Sequence, residues 1–273
     1  MAAYRKDYKV LYLEKEDGIA TITLNRPRRL NAINDQFYVD WIKAMGEVTK
    51  DDSLRVLVLT GAGRAFCSGG DFKTTGGEIY KLRHLPPKDF QKAYHRFMPQ
   101  VIWALQNLDI PTIAMVNGPA YGQGFGMALA CDMRVGSDQA RCCVAWTRRG
   151  VMPACGEQWT LPRIVGLGRA FEIIFTGREV GAEEAERIGI LNKLVPAAKL
   201  QEETMELARA LAKGPAVAYR LGKMALYKAT SGMDMMDTLD FTSAAQAVAF
   251  TTEDYWESAK AFEEKREPVF RGR

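Results

Sequence analysis

The stretch from Asp109 to Asp132 constrains this chain more than any other. An apolar run, Thr112 to Val116, passes through Asn117-Gly118-Pro119 into a glycine-rich loop, which opens into a run of small apolar residues. The pattern predicts strand, loop and helix in immediate succession. The first N–H groups of such a helix lack partners, and the positive end of its dipole points at whatever sits there. Gly122, Gly124 and Gly126 carry no side chains, so a ligand oxygen can approach the backbone closely. The junction is a candidate anion or oxyanion site.

A second unit of the same kind lies upstream. Val56-Leu57-Val58-Leu59 is an uninterrupted apolar strand, and Gly61-Ala62-Gly63-Arg64-Ala65-Phe66-Cys67-Ser68-Gly69-Gly70-Asp71-Phe72 follows it. Two such units can each donate one N–H to the same oxygen. Paired, fixed donors stabilise an enolate or a tetrahedral oxyanion derived from a thioester or ester carbonyl. The competing interpretation is a pair of tight turns that bind nothing.

Ala65-Phe66-Cys67-Ser68-Gly69-Gly70-Asp71-Phe72 resembles the first oxyanion loop of the crotonase superfamily, the enoyl-CoA hydratase/isomerase group. Asn117-Gly118-Pro119-Ala120-Tyr121-Gly122-Gln123-Gly124 resembles its second. Leu24-Asn25-Arg26-Pro27, Leu161-Pro162-Arg163, Thr176-Gly177-Arg178 and Ala261-Phe262-Glu263-Glu264-Lys265-Arg266 extend the resemblance over nearly the whole chain. It implies an α/β fold, with a ββα superhelix core over residues 1–195 and a helical region over 196–273. In the family that helical region covers the active site and forms trimer contacts, often with two trimers stacked as a hexamer. By position, Gly70 and Gln123 supply the two oxyanion N–H groups, and Gln123 stands where the family generally has glycine. The resemblance places the coenzyme A adenine near Arg28, Ala65 and Phe66, with Phe262 and Lys265 contributed from the same or a neighbouring subunit. Lys265 and Arg28 suit phosphates, and Phe262 offers a stacking face.

The carboxylates depart from the family pattern. Hydratases of this group use two glutamates, and here those positions hold Gly126 and Trp146. Glycine takes no proton and indole is only a donor, so neither acts as a base. Gly126 and Trp146 also resemble the 4-chlorobenzoyl-CoA dehalogenases, but Ala154 stands where those carry an aspartate nucleophile. Pro153 to Arg163 resembles isomerases acting on ring-derived acyl-CoAs, which also place an aspartate at the Ala154 position. Glu157, one helical turn on, can present a carboxylate to the same cavity. Burial among Trp146, Trp159 and Met152 would raise its pKa into a useful range for proton shuttling. Its alternative role is a favourable acid in the first turn of a helix. Asp71 is expected to cap the helix after its loop. Cys155 is expected to be a buried structural thiol, His84 and His95 are weaker general-base candidates, and Tyr80 and Tyr94 are candidates to donate hydrogen bonds to an acyl group. Phe125, Trp103, Tyr121, Trp146 and Trp159 are expected to line the cavity, which would suit a flat or cyclic acyl group.

Other classes fit less well. A net charge of +4 over 273 residues is mild and spread out, with no basic block for nucleic acid. No apolar run has the length of a membrane span, and Met1 to Lys9 lacks a secretory core, so a cytoplasmic location is expected. The five cysteines read as reduced thiols, and with two histidines no metal site is expected. Gly122-x-Gly124-x-Gly126 departs from the dinucleotide-binding spacing. The expected function is isomerisation, hydration or hydrolysis of an unusual acyl-CoA, with coenzyme A as part of the substrate and no prosthetic group. An acyl-CoA decarboxylase, a dehalogenase-like enzyme and a non-catalytic acyl-CoA-binding homologue are the alternatives. Local patterns add a hairpin at Asp17-Gly18, helices over Asp35–Val48 and Asp89–Leu108, and a strand near Cys142–Trp146. Four further helices follow from Leu200 onward, and an excursion spans Thr74–Lys88.

Overall fold

Apolar strands and a two-residue turn fix where the glycine loops emerge. The computed structural model describes residues 4–71 and 84–273. Strands β1 (Tyr4–Asp7), β2 (Leu11–Glu16) and β3 (Ile19–Leu24) pair antiparallel, and Asp17-Gly18 closes the β2–β3 hairpin. Both turn residues have positive φ, 49° and 77°, as the tightest hairpin turns require. Strands β4 (Val56–Gly61), β5 (Thr112–Val116), β7 (Met133–Ser137) and β10 (Lys193–Val195) then add in parallel. The seven-stranded order is β1-β2-β3-β4-β5-β7-β10. A second sheet sets β6 (Pro119–Tyr121) parallel to β8 (Arg141–Cys143), with β9 (Glu179–Gly181) antiparallel to it. The strand expected near Cys142–Trp146 therefore starts earlier and ends by Cys143.

Every residue of β4 is buried, because both faces of the sheet are covered. Leu57 and Leu59 join the core cluster that holds Trp41, Phe66 and Phe125, whereas Val56 and Val58 pack with Ile113, Val135, Leu200 and Ala208. Full burial of each such side chain contributes roughly 1.5–3 kcal/mol. Helix α1 (Asp35–Thr49) starts at Asn34, whose side chain accepts from Phe37 N, and buries Phe37, Tyr38, Trp41, Met45 and Val48. Ile42, next to Trp41 on the same helix, is 66% exposed. At about 100° per residue it turns toward the outer side with Val39.

The helix expected over Asp89–Leu108 is two: α2 (Pro87–Tyr94) and α3 (Met98–Gln106). Pro99, in the first turn of α3, has no N–H for a continuous ladder. After α4 (Gln123–Ala130) come α5 (Glu157–Val165), α6 (Leu167–Thr176) and α7 (Ala182–Arg187). In the C-terminal region, α8 (Leu200–Ala212) seals the second face of the sheet. Helices α9 (Ala216–Thr230) and α10 (Met235–Ala249) contain no fully buried residue, and α11 (Glu253–Glu264) buries Asp254 and Ala261. No helix among the described residues is long and apolar enough to cross a membrane. Most of the Thr74–Lys88 excursion, with Tyr80, lies outside the described residues.

Candidate active site

Backbone bonds hold the two glycine loops edge to edge. Cys67 N donates to Pro119 O at 3.0 Å, and Tyr121 N donates to Cys67 O at 2.9 Å. On the other edge, Ile33 N donates to Gly69 O and Asp71 N to Ile33 O, each at 2.8 Å. Gly69 has φ +90°, and a methyl group there would lie 2.8 Å from the Tyr121 carbonyl, so only glycine allows this approach. A buried ion pair, Arg26 Nη2 to Asp71 Oδ2 at 2.7 Å, ties the end of the first loop to the 26–33 segment. The helix that Asp71 was expected to cap falls outside the described residues.

Gly70 is thus held beside Gln123, the first residue of α4. Among the described residues, neither the Gly70 N–H nor the Gln123 N–H has an acceptor. Both residues line a cavity of about 810 Å³. The exposed side chains of Arg28, Arg29, Arg64 and Arg149 border it, and Tyr38, Tyr94, Tyr121 and Trp146 supply aromatic wall. Unpaired N–H groups of this kind have the chemistry of an oxyanion receptor. The bordering guanidinium groups have that of a phosphate-binding surface.

Not every expected residue arrives there. Gly122 lines the cavity, but Gly124 and Gly126 pack against protein. A methyl group on Gly124 would lie 2.2 Å from Cys67 O, and one on Gly126 would lie 2.4 Å from Cys155 Cβ. A glutamate at position 126 therefore has no room. Phe125 is fully buried in the core, Trp103 is 63% exposed on α3, and Trp159 borders a separate cavity of about 550 Å³ beneath α9. Ala65 and Phe66 are buried at 1% and 0% exposure and do not line the cavity. Phe262 is 85% exposed, and Lys265 closes α11 in a left-handed conformation; neither borders the cavity of its own chain.

Glu157 is not among the lining residues either. It is fully buried behind Trp146. Its Oε1 accepts the Trp146 indole N–H at 2.7 Å, and its Oε2 accepts Cys155 N at 2.7 Å. Burial raises its pKa above the ordinary glutamate value of 4.5, and these hydrogen bonds only partly oppose that. The expectation that Glu157 faces the cavity overlooked the length of the indole, which occupies the wall and uses the carboxylate as its anchor. Cys155 is buried, with its thiol pushed well above its usual range by burial. His84 and His95 are exposed and outside the lining.

Tyr38 was not singled out by sequence, yet its hydroxyl accepts from Gln123 Nε2 at 3.4 Å. The available signal was a phenol, with a polar tip that needs a partner, on the buried face of α1. Arg29, Arg64 and Arg149 carried no local signal, because an exposed arginine is ordinary until a fold gathers several around one opening.

A model of the enoyl-CoA hydratase/isomerase family matches residues 14–273. The 1,2-epoxyphenylacetyl-CoA isomerase of Escherichia coli is 35% identical over 259 residues, covering 94% of this chain and 97% of that protein. The short-chain-enoyl-CoA hydratase of Clostridium acetobutylicum is 34% identical over 259 residues, covering 93% and 94%. Among solved structures, enoyl-CoA hydratase from Bacillus anthracis is similar, with a TM-score of 0.86 at 29% identity and full coverage of both chains.

Proposed function

The chain belongs to the enoyl-CoA hydratase/isomerase family, and within it we propose an acyl-CoA enzyme that stabilises a thioester enolate or oxyanion with the N–H groups of Gly70 and Gln123. One observation carries this reading: two acceptor-free N–H groups from two clamped loops meet at one cavity. A thioester carbonyl oxygen placed between them accepts both. The negative charge that develops on it, when an α-proton leaves or a nucleophile adds, is met by donors that need no rearrangement. The N-terminal end of α4 adds its dipole. Arg28 and its neighbours bind the coenzyme A phosphates, and coenzyme A enters as part of the substrate.

Simple hydration by paired glutamates does not fit, since Gly126 is sealed against Cys155 and Trp146 fills the other position. Isomerisation of a flat or cyclic acyl group fits better. The name of the E. coli relative points the same way, and Tyr38, Tyr94 and Trp146 give the cavity aromatic wall. Glu157 acts on the site by fixing the indole of Trp146. A second role, in which Glu157 itself moves a proton, is favoured by its raised pKa. Phe262 and Lys265 contribute to coenzyme A binding from a neighbouring protomer, which makes a homotrimer or homohexamer part of the proposal.

A panel of acyl-CoA thioesters, followed by mass spectrometry for retention and turnover, tests this. Retention with turnover of at least one cyclic or aromatic thioester is expected. Retention without turnover of any member would leave a binding protein in place of an enzyme.

A further inference from the structure

The Gln123 side chain is buried at 5% exposure, and its Oε1 has no hydrogen-bond partner. A methyl group on Gly70 would lie 3.3 Å from that oxygen, so the amide packs beside Gly70. Nε2 on the other end lies 3.4 Å from the Tyr38 hydroxyl, a long hydrogen bond that sets the amide's resting orientation without locking it. A buried acceptor left unmade costs free energy, and glycine at this position would avoid that cost. Neither α4 nor the clamped loops need this amide, because both glycine-loop strands are held by backbone bonds. Tyr94 lines the same cavity, and its hydroxyl has no partner among the described residues.

We propose that Gln123 is a specificity-determining residue, whose side-chain carbonyl accepts a hydrogen bond from a hydroxyl carried on the acyl group close to the thioester. The idea rests on the acyl-CoA reading of the same site. With the thioester oxygen between the Gly70 and Gln123 N–H groups, the first acyl carbons lie beside the Gln123 amide, which swings about a soft terminal torsion to meet a donor. A substrate hydroxyl satisfies the orphaned oxygen. An acyl group with hydrogen there leaves it unpaired, and buried polar groups left unpaired are what make such sites selective.

Equilibrium dialysis with butyryl-CoA, 2-hydroxybutyryl-CoA and 3-hydroxybutyryl-CoA tests the proposal. The native protein is expected to bind one of the hydroxy compounds at least about tenfold tighter than butyryl-CoA. Gln123→Met and Gln123→Gly keep the backbone donor and remove the carbonyl, so that ratio should fall to within about twofold in each. The ratio is internal to each protein and does not depend on overall affinity. Equal binding of all three compounds by the native protein, or a tenfold preference kept in both variants, overturns the role of Gln123 and leaves the acyl-CoA reading standing. Binding of no thioester more tightly than free coenzyme A overturns both.

Discussion

Glu157 is the residue where burial and function pull hardest against each other. Its folded pKa lies above the ordinary value of 4.5, so folding favours the protonated form. The stability this gives is complete below the unfolded pKa and is lost as pH rises through the raised folded value. Glu157→Gln removes that dependence and keeps a side-chain oxygen for the Trp146 N–H. Urea unfolding between about pH 4 and pH 8 should therefore show the native protein losing ground to Glu157→Gln as pH rises. Parallel curves would mean that Glu157 titrates alike folded and unfolded. Activity separates its two roles. An anchor tolerates Glu157→Gln with less than about tenfold loss, whereas a proton carrier loses roughly a hundredfold or more. Gly126 gives the complementary test. Gly126→Glu should not create crotonyl-CoA hydration and should cost about 1–3 kcal/mol of stability, because Cys155 already occupies the space.

At the scale of elements, the first glycine loop depends on the ion pair at its end. Arg26 and Asp71 have side-chain exposures of 16% and 4%, so removing Arg26 takes a charge-assisted hydrogen bond away from a buried carboxylate. Arg26→Ala is expected to lower stability by about 1.5–3 kcal/mol in denaturant unfolding, and a change under about 0.5 kcal/mol would show the loop to be self-supporting. Elements of this kind were largely legible in the sequence. The Asp17-Gly18 turn, the strand at Val56 and the strand-loop-helix unit at Thr112 each rest on local patterns that the structure keeps. What local pattern could not give was direction. Ile42 and Trp41 are neighbours with opposite fates, and the apolar segments containing Trp103 and Trp159 do not reveal that the first ring faces outward and the second borders a separate cavity. Tyr38 escaped notice because its partner, Gln123, lies 85 residues away.

On the scale of the whole molecule, the C-terminal helices leave unusual apolar surface. Leu226, Met235 and Met236 are 71%, 73% and 65% exposed, on helices with no fully buried residue of their own. The homotrimer or homohexamer proposed above would place these residues in contacts between protomers. Light scattering is expected to give three or six times the chain mass of 30.5 kDa. Leu226→Glu combined with Met236→Glu should shift the mass toward the single chain. A native protein of single-chain mass would remove the neighbouring protomer from the account of Phe262 and Lys265. The account itself turns on the two backbone donors, and the most direct probe is the thioester carbonyl they are said to hold. Vibrational difference spectra of a carbonyl-13C-labelled acyl-CoA should show its C=O stretch at lower frequency when bound than when free, because two N–H donors polarise the bond. Gly70→Pro removes one donor, and in a correctly folded variant the band should move back toward the free position. A bound carbonyl at the solution frequency in the native protein, or a shift unchanged by Gly70→Pro, would contradict the oxyanion assignment.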